Sequence, residues 1–138
     1  MARPTRPGDL MALDATECTQ RLADAPWARI GFVADGLPSV LPVNIVLYGE
    51  AIYFQTAAGS KLAAAAATGA VAVEVDGGDP DARTGWSVLA QGTASIVTDR
   101  ELEEALWALD FEPWAIPDAR HFWIQVEVTS ITGREILR

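Results

Sequence analysis

The sequence predicts a single domain of mainly β structure, an antiparallel barrel with short helices in its connections. Its 138 residues and 14.8 kDa are enough for one hydrophobic core. Half of the residues are hydrophobic and 21% are charged, which excludes a disordered or coiled-coil chain. No apolar run approaches the roughly 20 residues that cross a bilayer. Strand-like runs separated by turn signals outnumber helical segments, which favours an antiparallel barrel over a doubly wound sheet.

Three short helices are predicted from capping motifs, in which a side-chain oxygen accepts a hydrogen bond from the first turn. The pair Asp14 and Glu17 predicts a helix over about 15–24, and the pair Thr98 and Glu101 predicts one that runs through about Leu109. Ser60 is expected to cap an alanine-rich helix over 62–67 that stops at Gly69.

About six strands are predicted between and after these helices. They are expected over residues 27–33, 39–48, 51–56, 70–76, 86–97 and 122–128. Asp35-Gly36 and Gly49-Glu50 are the turns of a three-strand meander. Residues 77–85 are expected to be a loop, and Gly92 is a candidate β-bulge.

Two-residue turns fix the register of the meander. They place Arg29 opposite Pro42, and Asn44 opposite both Trp27 and Gln55. The face expected to form the core carries Ile30, Phe32, Leu41, Val43, Ile45, Leu47, Ile52 and Phe54. The opposite face also carries large apolar side chains, namely Trp27, Val33, Val40, Val46, Tyr48 and Tyr53. So much exposed apolar surface predicts a partner that covers this face.

Charge and cysteine content restrict the function classes. Ten basic and 19 acidic residues give a net charge of −9, so we expect neither a nucleic-acid partner nor a membrane partner. The lone Cys18 cannot form an internal disulfide, which predicts a reducing, cytoplasmic location. One cysteine and one histidine cannot build a structural zinc site, so no metal is expected. Residues 1–12 are expected to be a disordered extension, and residues 13–138 the domain.

The strongest local signal is the segment from Thr56 to Lys61, where a strand leads through a glycine into a helix. This arrangement directs backbone N–H groups, two hydroxyls and the chain's sole lysine ammonium toward one place, as an anion site requires. The alternative is that Ser60 only caps the helix and that Lys61 is a solvated charge. Asn44 and Gln55 could hydrogen-bond a heteroaromatic ring or simply pair with each other.

Trp86 and Ser87, at the start of a strand, could line a planar ligand, although a core or interface tryptophan is the commoner use. His121 lacks a neighbouring nucleophile and favours a surface or interface role, so no catalytic residue is assigned. Cys18 follows the first helical turn and is expected to pack in the core.

The order of several short motifs resembles the pyridoxamine 5'-phosphate oxidase-like, flavin-binding split barrels. The resemblance extends from Leu13 to Ile136. The motifs lie at residues 27–31, 41–44, 54–61, 85–88 and 128–134. It implies a homodimer of six-stranded antiparallel split β-barrels, with residues 13–138 as the flavin-binding domain and two flavin sites at the subunit interface.

The resemblance also implies roles for individual residues. Thr56, Ser60 and Lys61 would hold the phosphate of FMN, and Val43, Asn44 and Gln55 would lie along its ring. Trp86 and Ser87 would approach the ring or the ribityl chain, and Trp123 and Arg134 would help form the interface. Two departures concern Leu41 and Leu62, which stand where the true oxidase carries basic residues. The carboxy-terminal signature for the substrate phosphate is not recognisable either, so oxidation of pyridoxamine phosphate is not expected.

The resulting hypothesis is an FMN-dependent oxidoreductase that works on a small-molecule electron donor or acceptor. One alternative is a deazaflavin-dependent reductase, whose longer anionic tail would need cations such as Arg29, Arg83 or Arg134. Another is a non-catalytic dimer that binds flavin, or that binds haem with His121 as the axial ligand.

Overall fold

The computed structural model describes residues 8–66, 69–115 and 121–137. Within them it contains three helices: α1 (Ala15–Asp24), α2 (Lys61–Ala66) and α3 (Arg100–Trp107). It also contains eight strands: β1 (Leu10–Ala12), β2 (Ala28–Ala34), β3 (Leu37–Val43), β4 (Val46–Tyr48), β5 (Ala51–Ala57), β6 (Ala70–Asp79), β7 (Thr84–Ile96) and β8 (His121–Ile136). The predicted mainly-β class is confirmed. No helix in these residues is long and apolar enough to span a membrane.

The strands form one antiparallel sheet in the order β3-β2-β6-β7-β8-β5-β4, with β1 paired to the end of β8. The two edge strands, β3 and β4, follow each other in the chain with only Asn44 and Ile45 between them. Three Cα–Cα steps of 3.8 Å keep Val43 and Val46 within about 11 Å. The sheet must therefore curl until its edges meet, which makes a barrel that is split between β3 and β4.

The strand count corrects the predicted six. The predicted middle strand of the meander divides at Asn44, and its halves pair with strands at opposite ends of the sheet, β2 and β5. The predicted pair of Arg29 with Pro42 is confirmed. The predicted pairs of Asn44 with Trp27 and Gln55 are wrong, because the chain crosses between the two edges at this residue and leaves both ladders.

The predicted boundary between the amino-terminal extension and the domain also shifts. Residues 1–7 lie outside the described residues, but Leu10–Ala12 form β1 against Arg134–Ile136 instead of a disordered extension. The predicted loop over 77–85 shrinks to the turn 80–83, because β6 and β7 stay paired as far as Asp79 and Thr84. The last strand, whose clear part is predicted over 122–128 with a continuation toward Arg134, runs on to Ile136.

The barrel interior is filled by side chains from both halves of the sheet. Among the fully buried ones are Ile30, Phe54, Val73, Val88, Ile124 and Val126. Leu41 was expected in this core but is 44% exposed, because β3 is an edge strand. A second cluster, Tyr53, Val97, Leu106 and Trp123, lies outside the barrel and includes Leu106 of α3. One face of β5 therefore packs in the barrel core, and Tyr53 on the other face packs in the cluster to which α3 contributes.

The helices largely follow their predicted caps. Asp14 Oδ1 accepts a hydrogen bond from the backbone N–H of Glu17 at 2.8 Å, and α1 has the predicted bounds. Cys18 is a free, buried thiol as expected of a packing residue, and burial together with the nearby carboxylates raises the pKa of that thiol. The cap of α3 is Asp99 instead of Thr98, since Asp99 Oδ1 accepts from the N–H groups of Glu101 and Leu102.

A bulge interrupts the β7–β8 ladder at the predicted position. Gln91 lies opposite Ser130 and Gly92 opposite Val128, so Thr129 is the extra residue and belongs to β8. A Cβ at Gly92 would collide with the carbonyl oxygen of Glu127. Glycine is therefore required there by the close approach of the two backbones.

We expect Gly92→Ala to lower the free energy of unfolding by about 1–3 kcal/mol, because the clash must be relieved by a shift of β8. The matched control is Gly31→Ala, since a Cβ at Gly31 meets nothing nearer than Ala72 Cβ at 3.6 Å. Chemical denaturation of both variants measures the difference. Equal midpoints for the two would contradict the bulge geometry.

Candidate functional site

The loop that follows β5, from Thr56 to Lys61, brings two hydroxyls and an ammonium to the start of α2. The Thr56 and Ser60 hydroxyls are 3.0 Å apart and share a hydrogen bond. Ser60 Oγ also accepts from the backbone N–H of Ala63 at 3.0 Å, which confirms the predicted cap. Thr56 is buried and Lys61 is exposed. The loop therefore offers a fixed hydroxyl pair below a mobile cation.

Asp35 is the ionic neighbour of Lys61 in the described residues. Lys61 Nζ lies 3.7 Å from Asp35 Oδ2, and the two side chains are 78% and 81% exposed. Such an exposed pair contributes about 0–1 kcal/mol. Asp35 occupies the β2–β3 turn with a φ of 53°, a conformation that Asn and Asp tolerate. The ammonium is thus only weakly held and remains available to an anion.

Two buried polar atoms lie one residue back from this loop along β5. Gln55 is the register partner of Trp123 on β8. Neither Gln55 Oε1 nor Trp123 Nε1 has a hydrogen-bond partner within the described part of the chain. A buried donor or acceptor left unpaired costs about 1–3 kcal/mol. An unpaired acceptor and an unpaired donor on register-paired residues suit a ligand edge that carries complementary groups.

Asn44 has a different environment from the one expected of a ring contact. Its Nδ2 donates to the carbonyl oxygen of Pro26 at 2.9 Å, and its Oδ1 accepts from the backbone N–H of Trp114 at 2.8 Å. Trp114 in turn packs edge-on against Trp27, with ring centroids 5.8 Å apart. The amide therefore ties together three segments at the split between β3 and β4. Val43 is half-buried against the barrel core.

Ser87, Arg134 and Trp86 lie elsewhere in the molecule. Ser87 is the register partner of both Asp76 on β6 and Arg134 on β8, and this group lines an open cavity of about 280 Å³. Trp86 packs against the barrel core, with its ring stacked by Arg21 at 4.7 Å from the guanidinium carbon to the ring centroid. Successive residues of a strand point to opposite faces. The Trp86 and Ser87 side chains therefore leave β7 on opposite faces, although both residues line this cavity.

The predicted site residues consequently form two groups. Trp123 and Arg134 are eleven positions apart on β8, which is about 36 Å along a strand at ~3.3 Å per residue. The Gln55–Lys61 group lies at one end of this strand, and the Ser87–Arg134 group lies at the other. A single molecule of flavin size cannot touch both groups within one chain.

Sequence reasoning missed an ionic cluster on the outer face of β2 and β6. Arg29 Nη1 lies 2.5 Å from Asp76 Oδ2 and 3.2 Å from Glu74 Oε1. Burial, followed by the neighbouring Asp76 carboxylate, raises the pKa of Glu74, and Arg29 offsets part of that effect. Arg21 was missed as well. It pairs with Glu135 at 3.2 Å, 114 positions away, and no local pattern could have indicated this.

His121 adjoins the Thr56–Lys61 loop as the register partner of Ala57. Its ring packs edge-on against Trp107, with centroids 5.8 Å apart. Trp107 and Phe111 also pack against Trp123, each with ring centroids 5.5 Å apart. The histidine is therefore half-buried beside an aromatic cluster on the outside of the barrel.

Known proteins share this architecture. The chain is 33% identical to an FAD-binding protein from Mycobacterium smegmatis, and the two structures superpose with a TM-score of 0.81. The superposition covers 93% of this chain and 99% of the relative. An FAD-binding protein from Mesorhizobium loti shares the fold at a TM-score of 0.76 and 24% identity, over 93% and 99% of the two chains.

A curated relative from Mycobacterium tuberculosis, the uncharacterised protein Rv0080, is 30% identical over 99% of this chain and 91% of its own length. The family model described as pyridoxamine 5'-phosphate oxidase matches residues 14–135. This match covers β2 to β7 and β8 as far as Glu135, including both groups of predicted site residues. The chain therefore belongs to the pyridoxamine 5'-phosphate oxidase family.

Proposed function

We propose that the protein is a flavin-dependent oxidoreductase that holds the cofactor phosphate at the Thr56–Lys61 loop. The observation that carries the proposal is the hydrogen-bonded pair of Thr56 and Ser60 hydroxyls on the same loop as the exposed Lys61. Family membership and an FAD-binding structural relative at 33% identity support the same cofactor class. When bound, a flavin supplies hydride or electron transfer, and the protein supplies anchoring and orientation.

The unpaired polar atoms next to the loop fit a flavin ring. The edge of an isoalloxazine carries an N–H donor between two carbonyl acceptors. Gln55 Oε1 would accept from such a donor and Trp123 Nε1 would donate to such an acceptor, which would pay the desolvation cost of both atoms. Both atoms are buried, so the aromatic side chains that cover Trp123, including Phe111, would have to move aside.

FMN is the smallest molecule that carries both the ring and the phosphate, and we propose it, alone or as the flavin half of FAD, as the bound group. The loop itself supplies a single cation, because Leu62 follows Lys61 where a second basic residue would strengthen binding. Each charge-assisted hydrogen bond contributes about 1.5–3 kcal/mol. We therefore expect reversible binding, which titration with FMN, FAD and a deazaflavin would compare directly.

We further propose that the working unit is a homodimer. Several large apolar side chains of the β2–β3 hairpin are exposed in the single chain: Val33 by 62%, Leu37 by 68% and Val40 by 64%. They adjoin an open groove of about 600 Å³ that crosses to β6, β7 and β8. A second copy would cover this surface. It would also bring a Ser87–Arg134 group to the Thr56–Lys61 loop of its neighbour, which one chain cannot do.

The cytoplasmic location expected from the lone Cys18 stays a prediction. The same holds for the electron donor or acceptor. Proton exchange with water would serve a flavin reaction.

Lys61→Gln is expected to weaken flavin binding about ten-fold or more, because the loop's own cation is lost. Asp35→Asn should have the opposite effect and tighten binding, because it removes the carboxylate that competes for Lys61. Flavin fluorescence titration measures both dissociation constants. Arg100→Gln serves as the control for net charge, since Arg100 is an exposed cation on α3. Equal dissociation constants in all three variants would remove the phosphate role of the loop.

The dimeric site can be tested by subunit complementation. Lys61→Ala and Arg134→Ala should each impair flavin binding as homodimers. Co-expression should restore about a quarter of the sites at wild-type affinity, because half of the randomly mixed dimers then contain one unaltered site. Titration of the co-expressed sample, with its oligomeric state measured by analytical ultracentrifugation, tests this. A monomer, or a mixture that binds as the average of its parents, speaks against a shared site.

A further inference from the structure

The barrel wall has a gap between β5 and β1. The β5–β8 ladder ends at the pair of Ile52 with Val126, and β1 joins β8 only at Arg134. Residues 127–132 of β8 therefore have β7 as their only strand neighbour among the described strands. Helix α1 packs against β8 and β4 across this gap. The space that remains is a side cavity of about 380 Å³, within the size range of small-molecule sites.

The β-bulge of β8 makes the inner wall of the side cavity apolar. Val128 and Ile131 are three positions apart, so strict alternation would direct their side chains to opposite faces of the strand. The extra residue Thr129 shifts the alternation by one, and both side chains pack against the barrel core and line the side cavity. The rest of this wall comes from core side chains of α1, β4 and β5, namely Leu22, Leu47 and Ile52. The side cavity therefore favours an aliphatic guest.

The mouth of the side cavity is marked by its exposed polar residues, and one of them is charged. Glu50, in the β4–β5 turn, has no ion-pair partner among the residues that the structure describes. Thr19 of α1 is the exposed neutral residue of the lining. Arg21, the basic residue of α1, is engaged by Glu135 and Trp86. Since the lining carries only the Glu50 charge and the whole chain has a net charge of −9, the mouth attracts a cation and repels an anion.

We propose that the side cavity binds a small aliphatic amine, whose hydrocarbon chain lies against the core side chains and whose ammonium group faces Glu50. An apolar cavity of about 150 Å³ holds a benzene ring, so the side cavity has room for a chain of about six carbons. The ammonium group stays at the mouth in contact with water, so no charge is buried. None of the lining residues belongs to the Thr56–Lys61 loop or to the Ser87–Arg134 group, so the proposal does not depend on flavin binding.

Three ligands with the same hydrocarbon chain test the proposal on the full-length protein: hexylammonium, which is a cation at neutral pH, neutral hexanol, and anionic hexanoate. The methyl signals of Ile52 and Ile131 in a carbon–proton correlation spectrum report both the place of binding and the dissociation constants, and Ile52→Val and Ile131→Val assign these signals. We expect hexylammonium to shift both signals saturably. It should bind about two- to five-fold more tightly than hexanol, the gain that an exposed ion pair provides, and hexanoate should bind more weakly than hexanol.

Glu50→Gln provides the charge test, because Glu50 is exposed in a turn and its replacement leaves the barrel core untouched. It should lower the affinity for hexylammonium to about that for hexanol and leave hexanol binding unchanged. Glu101→Gln, an equal change of charge at an exposed site on α3 outside the cavity lining, should alter neither affinity. Equal affinities for hexylammonium and hexanoate would overturn the proposal, as would unshifted isoleucine signals or a Glu50→Gln variant that binds the amine as the unaltered protein does.

Thr19→Phe tests the place of binding, because it fills the mouth of the side cavity and leaves both buried residues of α1, Cys18 and Leu22, unchanged. It should abolish the saturable shifts caused by hexylammonium. Gln20→Phe adds the same ring at the next exposed position of α1, outside the cavity lining, and should bind the amine normally. Binding that persists in Thr19→Phe, or that is lost equally in Gln20→Phe, would contradict the side cavity as the site.

Discussion

The two edges of the sheet are joined covalently through Asn44 and Ile45, and this short connection forces the sheet to curl into a split barrel. Eight strands could otherwise lie in an open, twisted sheet. Because β3 and β4 sit at opposite ends of the strand order, two residues must cross the split between them. At this crossing the Asn44 amide donates a hydrogen bond to the carbonyl oxygen of Pro26 and accepts one from the backbone N–H of Trp114. It thereby fixes the entry to β2 and the segment after α3 against the same corner.

A small split barrel with a packed interior restricts where a ligand can bind. Its interior is filled by side chains such as Phe54 and Ile124, as in other barrels of about eight strands. Ligands are therefore left with the outer face, the ends and the gaps between strands. The long strand β8 then separates the outer-face groups by most of the length of the molecule. An assembly of two copies is the simplest way in which one cofactor could use both groups, which is why we propose a dimer.

Local features of this fold were predictable from the sequence, and features that depend on distant segments were not. The caps at Asp14 and Ser60 and the turn-defined register of β2 with β3 rest on residues within a few positions of one another. At α3 the prediction missed the cap by one residue, because Asp99 and not Thr98 accepts from the N–H groups of the first turn. The alternating pattern of β3 predicted that Leu41 lies in the core. Its side chain is partly exposed because β3 is an edge strand with a neighbour on one side only.

The pairing of β1 with the end of β8 has no signal in the sequence of either segment. The same applies to Arg21, whose partners Trp86 and Glu135 come from strands far along the chain. Of the candidate site, the Thr56–Lys61 loop was predictable because it is contiguous. The separation of Trp86 from Ser87 could be deduced only from which side of β7 faces the core.

Lys61 is the chain's sole lysine, and its side chain is 78% exposed. Acylating reagents that react with side-chain amines therefore have a single target in this protein, at the loop where we place the phosphate. The rate at which an activated ester labels that position is a direct measure of whether the ammonium is covered. Chemical footprinting of one residue can thus follow occupancy of the loop without any optical signal from the ligand.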